Sequence, residues 1–228
     1  FRLEIYQQFS KVIFPLQKTR LHRHLRRRKK ENTLLNVNIL GEAILGETRC
    51  KKQLEMYFKL IEDPEVDYIS IKISSIFSQI NLLDWEHSVN LLSERLRIIY
   101  RHAKQHPLQS HHHPSFYSHK FINLDMEYYA DLELTITVFK QVLSEDEFLD
   151  FSAGVALQAY LPESFLILQD LTQWSIERTS RGGLPIKIRL VKGANLAVET
   201  HIASLKGWPE ATFRNKVDVD RQFKQMIK

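Results

Sequence analysis

Short apolar runs alternate with longer amphipathic segments along most of the chain. Five runs have the composition of β-strands, and they cover residues 35–40, 68–73, 121–126 and 152–159 and a stretch that begins at 186. Each run is followed by ten or more residues whose apolar positions recur every three or four, which predicts helices over 51–61, 85–104, 128–143 and 165–178 and after residue 193. This alternation indicates parallel strands that are joined by helical crossovers.

A doubly wound sheet and a (β/α)₈ barrel both satisfy this alternation. The polar residues at the predicted strand ends distinguish them, because a barrel gathers all its strand ends around one mouth, whereas an open sheet brings together only those beside its switch point. Neither glycine-rich nucleotide fingerprint is present. The sequence therefore predicts an α/β fold of the (β/α)₈ TIM-barrel type, with a mouth formed by Glu42, Lys72, Asp125, Gln158, Arg189 and Lys192.

The first 33 residues have a different pattern. Residues 15–33 are helical in spacing and strongly basic, and they carry only a thin apolar stripe. We interpret 1–33 as a helical, basic N-terminal segment and 34–228 as a partial barrel that contains strands 1–5 with their helices. Because the sequence lacks an initiator Met and stops within a helical pattern, we expect it to begin and end within a longer protein. With about five βα units, it would be an N-terminal fragment of an eight-stranded barrel.

Composition narrows the functional classes. The 228 residues are 43% hydrophobic, and the net charge of +5 arises from charged residues of both signs, which is too mixed for a dedicated nucleic-acid-binding protein. The single cysteine, Cys50, excludes an internal disulfide framework and favours a reducing compartment. His111, His112 and His113 are adjacent in a polar connector, where three side chains seldom converge on one ion, so no metal site is predicted.

The stretch IKIRLVKGANLAVE, residues 186–199, reads as a strand that leads through Gly193 into a helix. Arg189 and Lys192 lie at the end of this strand, where helix N-terminal amides add positive potential, so an anionic or electron-accepting ligand is one interpretation. The other interpretation is that the two cations only solvate the edge of the sheet. No histidine stands at a strand end to activate a serine, but Lys72 or Lys192 could serve as the amine of a Schiff-base enzyme.

Five short motifs give a more specific indication. In chain order they are LGEA, SIKIS, NLDME, LQAY and IRLVKGAN, and they fall on successive predicted strands. Together they resemble the proline dehydrogenase domain of bifunctional proline utilization A, which combines proline dehydrogenase with Δ1-pyrroline-5-carboxylate dehydrogenase. The resemblance runs from about residue 35 to the end of the sequence. One departure is Asn195, where many relatives carry an aromatic residue.

The resemblance implies a (β/α)₈ barrel with non-covalent FAD that oxidises L-proline to Δ1-pyrroline-5-carboxylate by hydride transfer to the flavin. It assigns the substrate carboxylate to Lys72, a site-closing contact to Glu42, and catalysis to Asp125 and Arg189. The implied contacts to FAD are Met126, Gln158, Arg189, Val191, Lys192, Gly193 and Ala194.

The resemblance also implies partners. These are an electron acceptor such as a quinone, a C-terminal aldehyde dehydrogenase domain and a peripheral contact with the membrane, for a cytoplasmic protein that binds no nucleic acid. Because three strands of the family's barrel are not in the sequence, we expect residues 1–228 alone to be inactive. Two alternatives stay open: a lysine-dependent Schiff-base barrel enzyme, and an inactive truncated chain that binds acidic partners through the run from Arg20 to Lys30.

Overall fold

The computed structural model describes residue 13 and residues 17–40, 46–108 and 118–228. Within these ranges the strands are β1 (Asn36–Asn38), β2 (Tyr68–Ile71), β3 (Phe121–Leu124), β4 (Ala153–Gln158) and β5 (Lys187–Val191). The helices are α1 (Lys18–Lys30), α2 (Glu47–Glu62), α3 (Ile73–Ile76), α4 (Trp85–Gln105), α5 (Leu132–Leu143), α6 (Ser164–Ser180), α7 (Leu196–Lys206) and α8 (Lys216–Ile227), with 3₁₀ turns at Tyr129–Asp131 and Asp146–Phe148.

The strands form one parallel sheet in the order β1-β2-β3-β4-β5. Each strand pairs with the next strand in sequence, so the described part of the chain has no point at which the strand order reverses. A doubly wound sheet has such a reversal at its binding crevice, whereas a barrel is built in sequential order. The predicted α/β class is confirmed, and the strand order is the one that a barrel requires.

The two faces of the sheet differ sharply in polarity. Ile71, Leu124, Val155 and Ile188 occupy one row of the strand register; the first three belong to the hydrophobic core, and Ile188 is partly buried against it. Since successive side chains of a strand point to opposite faces, the residues between them form the other face. That face carries polar side chains at Asn38 of β1, Ser70 of β2 and Asn123 of β3, and at Asp125, which directly follows β3.

The second strand is shorter than predicted. The sequence pattern suggests a strand over 68–73, but β2 ends at Ile71 and the chain turns into the short helix α3. The Ser75 hydroxyl donates a hydrogen bond to the Lys72 carbonyl at 2.7 Å, and Phe77 N–H donates to the Ile73 carbonyl at 3.1 Å. A serine side chain that bonds local backbone offers an alternative to the strand ladder, which explains the early turn.

Helix α1 packs where the strands begin. Leu21 and Leu25 are buried. His22, Arg26 and Lys29 contact acidic residues of the loop before β2, at 2.7 Å from Asp63, 2.6 Å from Glu65 and 2.7 Å from Asp67 respectively. The cationic side chains of Arg26 and Lys29 are therefore engaged within the chain, which weakens the interpretation of this run as a docking site for acidic partners. The division at residues 33 and 34 stays a prediction.

None of the described helices is long and apolar enough to cross a membrane. Among the described residues, no group of three His, Cys, Asp or Glu side chains is arranged to hold a metal ion, and His111 to His113 lie outside those residues. Cys50 is a buried free thiol.

Candidate active site

The ends of β2 to β5 surround a cavity of about 390 Å³. It is lined by Lys72, Asp125, Met126, Glu127, Ala156, Gln158, Arg189, Val191, Lys192, Gly193, Ala194 and Asn195. Every residue that the sequence assigned to the site lies on this cavity except Glu42, which falls outside the described residues. Four strands thus contribute to one mouth, as the barrel hypothesis requires, while the role of each residue stays a prediction.

Asp125 is the most highly connected polar group of the site. It is buried, and its carboxylate forms an ion pair with the Arg189 guanidinium. The same carboxylate accepts hydrogen bonds from Asn38 Nδ2 at 2.8 Å, Ser70 Oγ at 3.1 Å and Asn123 Nδ2 at 2.9 Å. Since a carboxylate has about four lone-pair positions, these bonds nearly saturate it. Asp125 is therefore well placed to hold Arg189.

Two opposing effects act on the Asp125 carboxyl. Burial raises its pKa above the usual aspartate value, and this effect exceeds the lowering by Arg189, Ser70, Lys72 and Asn123. The ion pair is thus formed at a desolvation cost. A buried charge of this kind is strongly destabilising once its partner is removed, so Asp125 and Arg189 depend on each other.

Lys72 lines the same cavity as this pair. Its ammonium donates to Glu127 Oε1 at 2.6 Å, and the Ser74 hydroxyl donates to Glu127 Oε2. Lys72 is the residue between β2 and α3, and Glu127 follows β3, so the contact joins the ends of two neighbouring strands. A Schiff-base lysine is activated by an apolar pocket or by a neighbouring cation, either of which favours the neutral amine. The carboxylate beside Lys72 has the opposite effect, because it favours the charged ammonium. The Schiff-base alternative is therefore disfavoured for Lys72.

Two buried polar atoms at the cavity have no hydrogen-bond partner within the described part of the chain. Gln158 Oε1 and Arg189 Nε make no hydrogen bond to any described residue. Unsatisfied buried polar atoms are uncommon, and at a cavity they suggest a ligand that completes them. The isoalloxazine of a flavin has both an N–H donor and several acceptor atoms, so it could satisfy an amide oxygen and a guanidinium N–H together. The residues present fit a flavin.

The glycine turn after β5 has a reason that the sequence did not reveal. Gly193 has φ of +123°, and a Cβ built on it would lie 2.5 Å from Cγ of Tyr160. Glycine is thus required here by the packing of the Tyr160 ring as well as by the backbone conformation. Lys192 extends toward α8, where its ammonium lies 2.6 Å from Asp220 Oδ1. Hydrogen bonds from Lys192 and Lys216 lower the pKa of Asp220 to about 2.

A larger groove of about 960 Å³ lies on the outer side of the 3₁₀ turn at Tyr129 and helices α5, α6 and α7. Its walls are mainly apolar, with Leu166, Ile202 and Trp208 among them. It contains neither the Asp125–Arg189 pair nor Lys72. We therefore place the candidate site at the smaller, more polar cavity.

Comparison with known proteins decides the family. The family model for proline dehydrogenase matches residues 21–228, which is nearly the whole chain. The chain belongs to the proline dehydrogenase family. The match begins within the segment that the sequence pattern separated as 1–33, so most of α1 is part of the family region.

Solved structures of proline utilization A resemble this proline dehydrogenase family member. The protein from Corynebacterium freiburgense is 43% identical over 98% of this chain, with a TM-score of 0.89, and that from Bdellovibrio bacteriovorus is 30% identical over 89%, with a TM-score of 0.75. A Bradyrhizobium japonicum proline utilization A variant, 21% identical over 84% of this chain with a TM-score of 0.70, shares the fold. The chain spans 22%, 22% and 19% of these three proteins. No curated protein sequence matches the chain.

The sequence interpretation missed several polar residues that support the site of this proline dehydrogenase family member. Asn38, Ser70 and Asn123 bind Asp125, and although Glu127 was expected at the end of the third strand, its contact with Lys72 was not predicted. A signal was present, because the strands alternate polar and apolar residues and the polar positions of neighbouring strands share one face. What the sequence could not supply is the strand register that brings these positions together.

Proposed function

We propose that this member of the proline dehydrogenase family forms part of an FAD-dependent enzyme that oxidises L-proline to Δ1-pyrroline-5-carboxylate. The observation that carries the proposal is the single mouth in which Arg189, held by Asp125, faces a cavity that also contains Lys72 and the unpartnered amide oxygen of Gln158. A small zwitterion and an electron-poor ring match these groups in charge and hydrogen bonding.

Lys72 would bind the substrate carboxylate. Its ammonium lies at the cavity wall and is already oriented by Glu127. A fixed cation that meets the carboxylate limits the positions of the proline ring, and such orientation lowers the barrier to reaction. Because the contact exists before and during reaction, it would contribute mainly to substrate affinity. Glu42 would close the site, as the family resemblance implies.

Arg189 would stabilise the charge that develops on reaction. When bound, FAD supplies the two-electron acceptor for the hydride of proline. Reduction increases negative charge on the acceptor ring, and a preoriented guanidinium lowers the energy of the transition state that leads to it. Asp125 would keep Arg189 in place. Gln158 would contact the ring through its amide, and Met126, Val191 and the peptide groups of Lys192, Gly193 and Ala194 would line the ring's edge.

The wider assignments rest on the relatives. Structures of proline utilization A include one described as inactivated by N-propargylglycine and one described as bifunctional. By analogy we propose that the complete natural polypeptide carries a C-terminal aldehyde dehydrogenase domain. We further propose that it passes electrons to an acceptor such as a quinone, and that it is cytoplasmic with a peripheral membrane contact.

The decisive experiment is anaerobic mixing of L-proline with the flavin-loaded natural polypeptide that contains this chain. We expect the flavin absorbance near 450 nm to be lost and Δ1-pyrroline-5-carboxylate to form in equal amount. D-Proline serves as a control for stereospecific binding. Retention of the oxidised flavin spectrum in the presence of excess L-proline would refute the proposal, and trapping of a substrate adduct by borohydride would favour the Schiff-base alternative.

A parallel assay tests residues 1–228 alone with added FAD. In the part of the chain that the structure describes, the five strands leave both edges of the sheet unpaired. A mouth without a complete wall also admits water, and water weakens every electrostatic contact within the mouth. We expect weak flavin binding and no proline oxidation. Turnover equal to that of the longer protein would show that these strands suffice.

A further inference from the structure

The backbone that follows β3 is attached to the first turn of α7 by two long-range hydrogen bonds. Asn195 Nδ2 donates to the Glu127 carbonyl oxygen at 2.7 Å. Tyr129 N–H donates to Glu199 Oε1, also at 2.7 Å. Asn195 immediately precedes α7 and Glu199 lies in its first turn, so the residues from Glu127 to Tyr129 are fastened at both ends to one helix terminus.

The side chain of Glu127 extends this connection to the end of the neighbouring strand β2. Its two carboxylate oxygens accept hydrogen bonds from Lys72 and Ser74, at the end of β2 and in α3. Gln158 Nε2 makes a longer contact of 3.5 Å to the same Glu127 carbonyl that Asn195 binds. The position of Glu127 therefore depends on α7 at its backbone and determines the surroundings of the Lys72 ammonium at its side chain.

The burial of Glu199 is consistent with a carboxylate whose role is the hydrogen bond to the Tyr129 amide. Glu199 is 8% exposed, and it lines the larger groove of about 960 Å³ rather than the cavity that contains Lys72 and Arg189. A buried carboxylate is costly unless it is hydrogen-bonded, and the Tyr129 amide supplies a charge-assisted bond. An apolar residue of similar size would pack at lower desolvation cost, so packing alone does not account for the charge.

We propose that Asn195 and Glu199 are positioning residues that clamp the segment from Glu127 to Tyr129 and thereby fix the Lys72 ammonium for the substrate carboxylate. The clamp itself is independent of the identity of the substrate. Its effect on proline binding rests on the proposed function. Neither residue needs to touch the substrate for this role.

The first test measures steady-state kinetics of the flavin-loaded natural polypeptide. Glu199→Ala and Asn195→Ala remove one bond each, and we expect either change to raise KM for proline about 3- to 10-fold, as the loss of one such hydrogen bond predicts, with a smaller change in kcat. Glu199→Gln keeps an acceptor for the Tyr129 amide and should restore KM to within about 2-fold of the original value. Thr200→Ala, an exposed position in the same turn, is the matched control and should leave KM unchanged.

A double-mutant cycle locates the effect at Glu127. In a Glu127→Ala background the clamp has no carboxylate left to position, so we expect Glu199→Ala to raise KM less than about 2-fold there. Equal effects in both backgrounds would show that Glu199 acts by another route. Failure of Glu199→Gln to restore KM would likewise overturn the proposal.

Hydrogen exchange of the peptide that contains residues 127–131 tests the clamp without any turnover. The Tyr129 amide should exchange about 10-fold faster in Glu199→Ala than in the unaltered protein, and at an unaltered rate in Glu199→Gln. Unaltered exchange in Glu199→Ala would refute the clamp. If proline does not reduce the flavin of the unaltered protein, the proposed function fails, and the exchange result alone then decides whether the clamp exists.

Discussion

Asp125 and Arg189 form an ion pair across an intervening strand. Arg189 is in register with Ala156 of β4, and Asp125 follows Leu124, whose partner in β4 is Val155, so Ala156 lies between the two charged residues. Second-neighbour strands are roughly 10 Å apart. The pair can form because the residue between is small and buried, with 1% of its surface exposed.

This geometry predicts that Ala156→Val is disruptive. The added methyl groups would occupy the space between the carboxylate and the guanidinium, and overpacking of a core position costs ~1–3 kcal/mol in the free energy of unfolding. We expect chemical denaturation to show this loss and stopped-flow spectroscopy to show slower flavin reduction by proline. Ala156→Gly leaves the space open and is the matched control. We expect it to lower the free energy of unfolding by ~0.5–1 kcal/mol through backbone entropy and to leave the rate of flavin reduction unchanged. If the flavin of Ala156→Val were reduced at the original rate, the ion pair would not depend on a small residue at this position.

Arg189→Met tests the proposed electrostatic role. Methionine keeps much of the length of the side chain but removes the charge, so we expect flavin reduction to slow by about 100-fold, the scale seen when one donor to a developing negative charge is lost. Flavin retention, measured by gel filtration, should change much less. Arg181→Met, which removes a more exposed arginine before β5, is the control. The flavin of this variant should be reduced at the original rate. Normal reduction of Arg189→Met would remove this residue from the catalytic group.

Lys72→Ala tests the proposed substrate contact. A hydrogen bond to a charged group contributes ~1.5–3 kcal/mol, which predicts an increase in KM for proline of about 10-fold or more. The change in kcat should be smaller, because the contact is present in both the bound and the transition states. Lys224→Ala removes one positive charge at an exposed position of α8 and is the control for a change in net charge alone, so it should leave KM unchanged. Unchanged KM and kcat in Lys72→Ala would show that Lys72 only neutralises Glu127.

Much of the fold follows from local pattern. The apolar period that distinguishes strands from helices is a property of adjacent residues, and it placed β2, β3 and β4 within two residues of their observed ends. The early end of β2 depends instead on the Ser75 hydroxyl and its bond to the Lys72 carbonyl. The apolar period carries no information about such a bond.

The candidate site was predictable in its position but not in its connections. Residues at the ends of parallel strands must meet at one edge, so the location of Lys72, Asp125 and Arg189 could be expected. The contact between Lys72 and Glu127, and that between Tyr129 and Glu199, join residues 55 and 70 positions apart. These depend on strand register and on the path of the loops, which only the three-dimensional structure defines.

Asp131, next to the clamp, is expected to make stability depend on pH. Burial, together with the negative charges of Glu127 and Glu199, raises its pKa from 3.8 to about 6. Between these two pH values the unfolded chain has released a proton that the folded protein still holds. The folded state is therefore progressively destabilised as the pH rises from about 4 to about 6, and the loss is complete above that range.

Asp131→Asn removes this titration while keeping the shape of the side chain. Each pKa unit corresponds to ~1.4 kcal/mol, so the variant should be more stable than the original protein by roughly 1–3 kcal/mol at pH 8. Well below pH 3.8 the aspartic acid is neutral in both states, and the difference should disappear. Denaturant unfolding at a series of pH values measures it, with Asp146→Asn, at a highly exposed position, as the control that should change little throughout. A variant that is equally stable or less stable at pH 8 would mean that the Asp131 carboxylate has a stabilising partner that offsets its proximity to Glu127 and Glu199.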